Sequence, residues 1–162
     1  MKPGDMAVLS LNGDHSRVQR LAGEQILLCK ALALGVDGLV ALSLRHEPPW
    51  PIELEHAIDL TEEAVMPLAA PLEGTAVLIV QGLGASLLVN TLRIGGIAPA
   101  VLTLDEAEAL FNRLVAVSQG RPVSQESLPT DVRFFAVMLI LREFMHHLNF
   151  AQVTLELNGS NI

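Results

Sequence analysis

The segment from Thr75 to Val80 constrains the fold of this chain more than any other part of the sequence. It is a continuous apolar run that contains β-branched residues, and it is followed at once by the glycines of Gly82-Leu83-Gly84. An apolar run without alternation is typical of a strand that is buried on both faces, as in a parallel sheet. The sequence therefore predicts an α/β protein with helices on both faces of its sheet.

Three further extended segments precede this strand. Met6 to Leu11 is apolar and is followed by the turn sequence Asn12-Gly13-Asp14, a strong hairpin signal. Arg17 to Leu21 alternates polar and apolar residues, Ala22-Gly23-Glu24 forms a second turn, and Gln25 to Leu34 is rich in Ile and Leu. We expect a three-stranded antiparallel meander, although the Ala and Leu residues of the third segment are also compatible with a helix.

Helices are predicted in the rest of the chain. Gly35 to Leu44 is ambiguous, and a helix begins near Pro51, where proline occupies the first turn. Thr103 and Glu106 form a capping box, and Val132 to Leu148 is a helix that is apolar all round between Phe134 and Leu141 and therefore buried. With a last strand from Phe150 to Leu157, the predicted order is β-β-β-α-β-α-α-α-β, a mixed five-stranded sheet in a single domain over residues 1–162.

Composition excludes several classes of protein. Hydrophobic residues make up 51% of the 162 residues and charged residues 17%, below the roughly 25% of a typical soluble domain. The net charge is −8 and the cations are scattered, which argues against a nucleic-acid partner.

Lone Cys29 lies in an apolar stretch and is predicted to be buried. Ile26 to Leu44 is interrupted by charges and glycines, so we expect no membrane partner and a cytoplasmic location.

The turn Gly82-Leu83-Gly84-Ala85-Ser86 is the first candidate site. A strand-to-helix turn of this kind presents backbone N–H groups to an anion. The third glycine of a dinucleotide fingerprint would fall at Leu87, and no Lys-Ser or Lys-Thr follows, so two known phosphate motifs are excluded. A tight turn that needs glycine only for its conformation and a phosphate site both remain open.

Three groups of ionisable residues have the residue types of sites but are interpreted as surface residues. Glu143-x-x-His146-His147 lies near a helix C-terminus, where a protonated histidine is favoured. His46 and His56 flank Trp50, and an acidic helix face contains Asp59, Glu62 and Glu63. No metal site and no Ser-His-Asp signature follow from these patterns.

The segment from Leu102 to Leu157 resembles a known family. Leu-Thr-Leu-Asp-Glu-Ala-Glu-Ala-Leu is followed by Arg121-Pro122, Leu128-Pro129, Asp131 and a long apolar helix. This order is similar to the second, C-terminal domain of the Ppx/GppA exopolyphosphatase and guanosine-pentaphosphate phosphohydrolase family, within the actin/Hsp70/sugar-kinase superfamily. The resemblance extends from Met6 to about Leu157. It implies an RNase H/actin-like mixed sheet and an ancestral phosphoanhydride hydrolase.

The phosphate motifs of that family are degenerate in this chain. Where the family has Asp-Ile-Gly-Gly-Gly-Ser, this sequence has Ser10-Leu11-Asn12-Gly13-Asp14-His15, so Ser10 stands at the acidic position. The second phosphate loop falls on Gly82 to Ser86. The resemblance implies that Asn12, Gly13, Gly82, Gly84 and Ser86 are the anion-binding candidates. Ser10 and Asp14 are the catalytic candidates, and there is no resident metal.

Three functions follow as hypotheses. The first is a catalytically degraded domain that acts by association, as a homodimer or with a partner that supplies the family's first domain. The second is half of a polyphosphate or guanosine-pentaphosphate phosphohydrolase whose site is completed in trans. The third is a binding module for a phosphate, polyphosphate or nucleotide, with Mg²⁺ expected only alongside such a ligand.

Overall fold

A six-stranded mixed sheet organises residues 4–92 and 100–157, the part of the chain that the computed structural model describes. The strands are β1 (Met6–Leu11), β2 (Ser16–Ala22), β3 (Gln25–Leu32), β4 (Val77–Gln81), β5 (Ala100–Thr103) and β6 (Gln152–Leu155). The α-helices are α1 (Val36–Leu42), α2 (Pro51–Val65), α3 (Leu83–Leu92), α4 (Leu104–Ser118) and α5 (Val132–His147). Short 3₁₀ helices cover Met66–Leu68 and Val123–Gln125.

The strand order is β3-β2-β1-β4-β6-β5. β1, β2 and β3 form the predicted antiparallel meander, and β4 and β6 join it in parallel, as expected. The predicted count of five strands is wrong, because β5 pairs antiparallel with β6 at the far edge. β5 has only four residues and runs directly into the capping box of α4, so its sequence carries little strand signal. The predicted loop over residues 93–99 lies outside the described residues.

The starts of two helices follow from local sequence, as predicted. The hydroxyl of Thr103 accepts a hydrogen bond from the N–H of Glu106, whose carboxylate accepts one from the N–H of Thr103. α2 begins at Pro51, and the ambiguous segment before it contains the seven-residue helix α1. The capping box of α4 thus satisfies an N–H group that the start of a helix leaves unpaired, and Pro51 at the start of α2 has no N–H group to satisfy.

The helices gather on one face of the sheet. On that face, Leu9 and Leu78 belong to the connected hydrophobic core, whereas Ile79 and Val8 on the opposite face lie outside that cluster, although Val8 is only 8% exposed. The connections from β3 to β4 and from β4 to β6 cross the sheet in the same direction, so right-handed crossovers place their helices on the same side. The described residues therefore lack the predicted second helical layer.

α5 lies at the centre of this core. Eleven of its sixteen residues are buried, and α1, α2, α3 and α4 each contact it. The apolar girdle from Phe134 to Leu141 is thus core, as its sequence predicts. Among residues 4–92 and 100–157, no helix combines the length and the apolar character needed to cross a membrane.

Cys29 was predicted to be buried, and this prediction is wrong. The residue is exposed, because β3 is an edge strand and Cys29 pairs with Gln19 on the face of the sheet that the described helices do not cover. An apolar run of sequence does not distinguish an edge strand from a central one.

Glu126 fastens the segment between α4 and α5. Its carboxylate accepts a hydrogen bond from Nε of Arg113 at 2.5 Å and forms an ion pair with Arg121, whose Nε lies 2.7 Å from Oε1. The hydrogen bond from Arg113 lowers the pKa of Glu126, and the charges of Arg121 and Arg113 lower it further against the opposing effect of burial. The Arg121-Pro122 element of the sequence resemblance therefore has a structural role.

Acid is expected to destabilise this segment. A carboxyl group whose pKa is lowered on folding stabilises the protein above its ordinary value of 4.5, and this contribution is lost as the pH falls through the lowered pKa. Urea unfolding of Glu126→Gln from pH 7 to pH 3 should show lower stability than wild type at pH 7 and a weaker dependence on acid. Glu63→Gln is the control. Parallel curves for Glu126→Gln and wild type would contradict the role of Glu126.

Candidate functional site

The turns that follow β1 and β4 contact each other at the carboxyl edge of the sheet. A Cβ placed on Gly82 would lie 2.6 Å from Oδ1 of Asn12 and 3.0 Å from the carbonyl oxygen of Leu11. Just before these turns, Nε2 of Gln81 donates a hydrogen bond to Oγ of Ser10 at 2.8 Å. The structure thus brings Ser10, Asn12 and Gly82 together, at the edge where α/β proteins bind ligands.

Packing accounts for both glycines of Gly82-x-Gly84. Gly82 has a φ of +84°, which a residue with a side chain adopts rarely. A Cβ on Gly84 would lie 2.5 Å from Cδ2 of Leu11, which is fully buried. Ser86 donates from Oγ to the carbonyl oxygen of Gly82 at 3.2 Å, within the same turn. The glycines are required by the turn itself, whether or not an anion binds there.

The other predicted anion-binding residues, Asn12 and Gly13, are engaged by α1. The N–H of Val36 donates to the carbonyl of Asn12 at 2.9 Å, and the N–H groups of Asp37 and Gly38 donate to the carbonyl of Gly13 at 2.8 and 3.1 Å. These are the first amides of α1, the groups that would otherwise face an anion. The meander turn therefore uses the start of α1 as its own hydrogen-bonding partner.

Two carboxylates lie close to the same turn. Oδ2 of Asp37 is 2.6 Å from the position that a Cβ of Gly13 would take, and Oδ1 of Asp37 pairs with Nε of Arg133 at 2.9 Å. Asp14 lines a cavity of 330 Å³ together with residues of α1 and α2, among them Leu39 and Glu63. Asp37 was not predicted, although an acidic residue two positions after Gly35, in the first turn of α1, was a usable signal. Negative charge next to Gly13 opposes the binding of an anion.

Mg²⁺ is expected only beside a bound phosphate or nucleotide, and the residues at this edge show how well such an ion would be held. Mg²⁺ takes oxygen ligands and commonly one or two carboxylates. Ser10 is not acidic and is bonded to Gln81, while Asp37 is paired with Arg133. Within the described ranges, the one group of three candidate ligands does not lie at these turns. The residues at these turns therefore do not fit a resident Mg²⁺ ion.

That group of three joins α5 to α2. Nε2 of His147 lies 2.8 Å from Oε2 of Glu143 and 3.2 Å from Oε1 of Glu62. The interpretation of Glu143 and His147 as exposed surface residues is wrong, because the side chain of Glu143 is only 1% exposed and that of His147 is 22% exposed. The acidic face of α2 is likewise not wholly solvated, since Glu62 contacts His147. The sequence pattern around Glu143 does not reveal the α2 partner, which tertiary packing supplies.

His46, Trp50 and Glu53 form a further cluster at the start of α2. The rings of His46 and Trp50 stack with their centroids 3.6 Å apart, and Nδ1 of His46 lies 2.8 Å from Oε2 of Glu53. Burial raises the pKa of Glu53, but hydrogen bonds from His46 and from the N–H of Trp50 outweigh it, so this pKa lies below its usual value. His46 thus helps to fix the start of the helix and is more than a surface residue.

The packing account of the glycine turn makes a prediction. Gly84→Ala should lower the free energy of unfolding by about 1–3 kcal/mol, because the new methyl group overlaps the side chain of Leu11. Gly38→Ala is the matched control. Gly38 lies within α1, and its Cβ would make an ordinary 3.5 Å contact with the carbonyl oxygen of Asp14, so stability should rise by about 0.4–1 kcal/mol. Urea unfolding measures both, and a Gly84→Ala protein as stable as wild type would contradict this account.

The architecture of this chain is similar to that of proteins of known structure. No family model matches the sequence, and no curated protein matches it. Among solved structures, the chain is similar to the Ppx/GppA phosphatase of Aquifex aeolicus (type II variant), with a TM-score of 0.71 and 14% identity, covering 95% of this chain and 54% of that one. It is also similar to an exopolyphosphatase from Cytophaga hutchinsonii, with a TM-score of 0.71 and 14% identity over 97% of this chain and 54% of that one. The chain spans about half the length of these structures, and it has the fold of an actin-like Ppx/GppA domain.

Proposed function

We propose that this chain is a Ppx/GppA-like domain that does not hydrolyse phosphoanhydrides and acts by association with a second copy of itself. The observation that carries the proposal is the exposed, apolar edge strand β3 beside a sheet face that the described helices leave uncovered. The chemistry of the turns after β1 and β4 supports the first half of the proposal.

Loss of catalysis follows from the side chains at the carboxyl edge of the sheet. Phosphoryl transfer depends on positioning and on cations that stabilise the developing negative charge. Here Ser10 and Gln81 are bonded to each other, and Asp37 neutralises Arg133 next to Gly13. The region supplies carboxylates where the reaction requires positive charge.

We therefore expect no phosphate release by the wild-type chain from polyphosphate or guanosine pentaphosphate in the presence of Mg²⁺. A colorimetric assay for inorganic phosphate measures it, with Asp14→Asn assayed in parallel. Turnover by wild type that needs Mg²⁺ and is lost in Asp14→Asn would overturn this half of the proposal. Such a result would instead support a phosphohydrolase that uses Asp14.

Association is supported by the edge strand. In the described part of the chain, β3 pairs with β2 alone, which leaves one row of its N–H and C=O groups unpaired over eight residues. Ile26 is 56% exposed and Leu27 48% exposed on this strand. A long, apolar, unprotected edge is a template for a further strand.

Repulsion between two copies is smallest at the same edge. The chain has a net charge of −8, but between Asp14 and Asp37 its only acidic residue is Glu24, and the cations there are Arg17, Lys30 and Arg20, the last of which is paired with Asp5. Two copies that approach through their β2–β3 hairpins keep most of their acidic residues apart. A two-fold axis that pairs β3 with β3 in antiparallel fashion would close the assembly as a dimer.

Size exclusion with light scattering over a dilution series tests the dimer. Leu27→Lys should raise the dissociation constant about tenfold or more, because each copy loses a buried leucine worth about 1.5–3 kcal/mol. Leu42→Lys, at a leucine that is 61% exposed on α1, is the matched control and should leave the dimer unchanged. A short bis-maleimide linker should join two copies through Cys29 only in the dimer.

Two results would overturn the homodimer. One is a single 17.4 kDa species at every concentration. The other is a dimer that Leu42→Lys weakens as much as Leu27→Lys. If wild type is monomeric and a separate phosphatase-like first domain binds it and shifts its elution, the second copy is replaced by that partner.

A further inference from the structure

We propose that Glu62, Glu143 and His147 bind a divalent transition-metal ion of the zinc class, which clamps the end of α5 to α2. One atom from each residue, two carboxylate oxygens and one imidazole nitrogen, lies within 4.8 Å of the other two. The two nearest separations are 2.8 Å and 3.2 Å, both to Nε2 of His147. Separations of this size are short enough for all three atoms to contact a single ion.

The burial of Glu143 and its pairing with Arg142 fix the position of one of the three ligands. Its side chain is 1% exposed on a helix whose neighbouring Phe144 and Met145 are fully buried. A buried carboxylate is costly unless it is paired or coordinates a metal. Nη1 of Arg142 binds Oε1 of Glu143 at 2.7 Å, which leaves Oε2 as the oxygen that faces His147. Ligating carboxylates are commonly held in this way by a hydrogen bond to their second oxygen.

The placement of the ligands suits a metal held between two helices. Glu143 and His147 are four residues apart and share one face of α5, and Glu62 approaches from α2. The side chain of Glu62 is 43% exposed, so one side of the group is open to solvent. Three protein ligands with an open position for water are the arrangement of many zinc sites. A mixed nitrogen and oxygen donor set favours Zn²⁺ over Mg²⁺, which prefers oxygen alone.

This site is separate from the turns discussed above. Arg133, which pairs with Asp37 beside the glycine turn, lies at the start of α5, and His147 is its last residue. At 1.5 Å per residue, the two ends of the helix are about 20 Å apart. Failure of the metal proposal therefore leaves the proposed association untouched, and the reverse also holds.

Zinc titration of the untagged full chain, first treated with a chelator, tests the proposal. Calorimetry should show one Zn²⁺ per chain. With free Zn²⁺ at about one hundred times its dissociation constant, the melting temperature should rise by about 5–10 °C, because the metal binds only the folded state. Mg²⁺ at the same concentration should have little effect. Co²⁺ in place of Zn²⁺ should give a visible absorption band that reports the coordination.

Neighbouring residues of the same type provide matched controls. Glu62→Gln and His147→Gln should each weaken zinc binding by at least about tenfold, whereas Glu63→Gln and His146→Gln should bind zinc as wild type does. Glu62 lies on the surface, so its variant decides the matter if His147→Gln fails to fold. Absence of zinc binding, equal binding by Glu62→Gln and wild type, or an equal response to Mg²⁺ would each overturn the proposal.

Discussion

The burial of α5 is the constraint on which the rest of the structure depends. A helix that is apolar on every side must be covered on every side, and here α1, α2, α3 and α4 all contact α5, whose buried side chains share one core cluster with Leu9 and Leu78 of the sheet. Those helices therefore lie on one face of the sheet. The two crossovers run in the same direction, so right-handed connections place their helices on that same face. Core formation and the exposure of the opposite face are therefore two consequences of one helix.

The low fraction of charged residues is related to the face of the sheet that the described helices leave uncovered. A chain with 17% charged residues has few charges with which to protect apolar surface. Val77 and Val101 are 44% and 42% exposed on the uncovered face, and Ile26 and Leu27 are exposed along β3. Several exposed apolar side chains on one sheet face and along its edge are typical of an interaction surface. The low charge and the one-sided core thus support the same inference of association.

Local patterns predicted the fold well where a short-range rule decides the outcome. The Asn12-Gly13 turn, the capping box at Thr103 and the apolar girdle of α5 each follow from residues within a few positions of one another. The failures have a common cause, which is long-range packing. Cys29 is exposed because β3 lies at an edge, and Glu143 is buried because helices distant in sequence pack against α5, one of which brings Glu62 to His147 across 85 residues. Neither relation is present in the neighbouring sequence.

The glycine turn shows why a motif can outlast the chemistry with which it is associated. Gly82 has a positive φ, so a side chain there would strain the backbone. A side chain at Gly84 would overlap that of Leu11 in the core. Asp14 is exposed and carries no such packing requirement, whereas Ser10 is buried and bonded to Gln81. Selection for folding alone would retain the glycines while the charged residues around them change. At this edge of the sheet, the glycines are therefore evidence of packing constraints. Whether an anion binds must be inferred from the charged side chains.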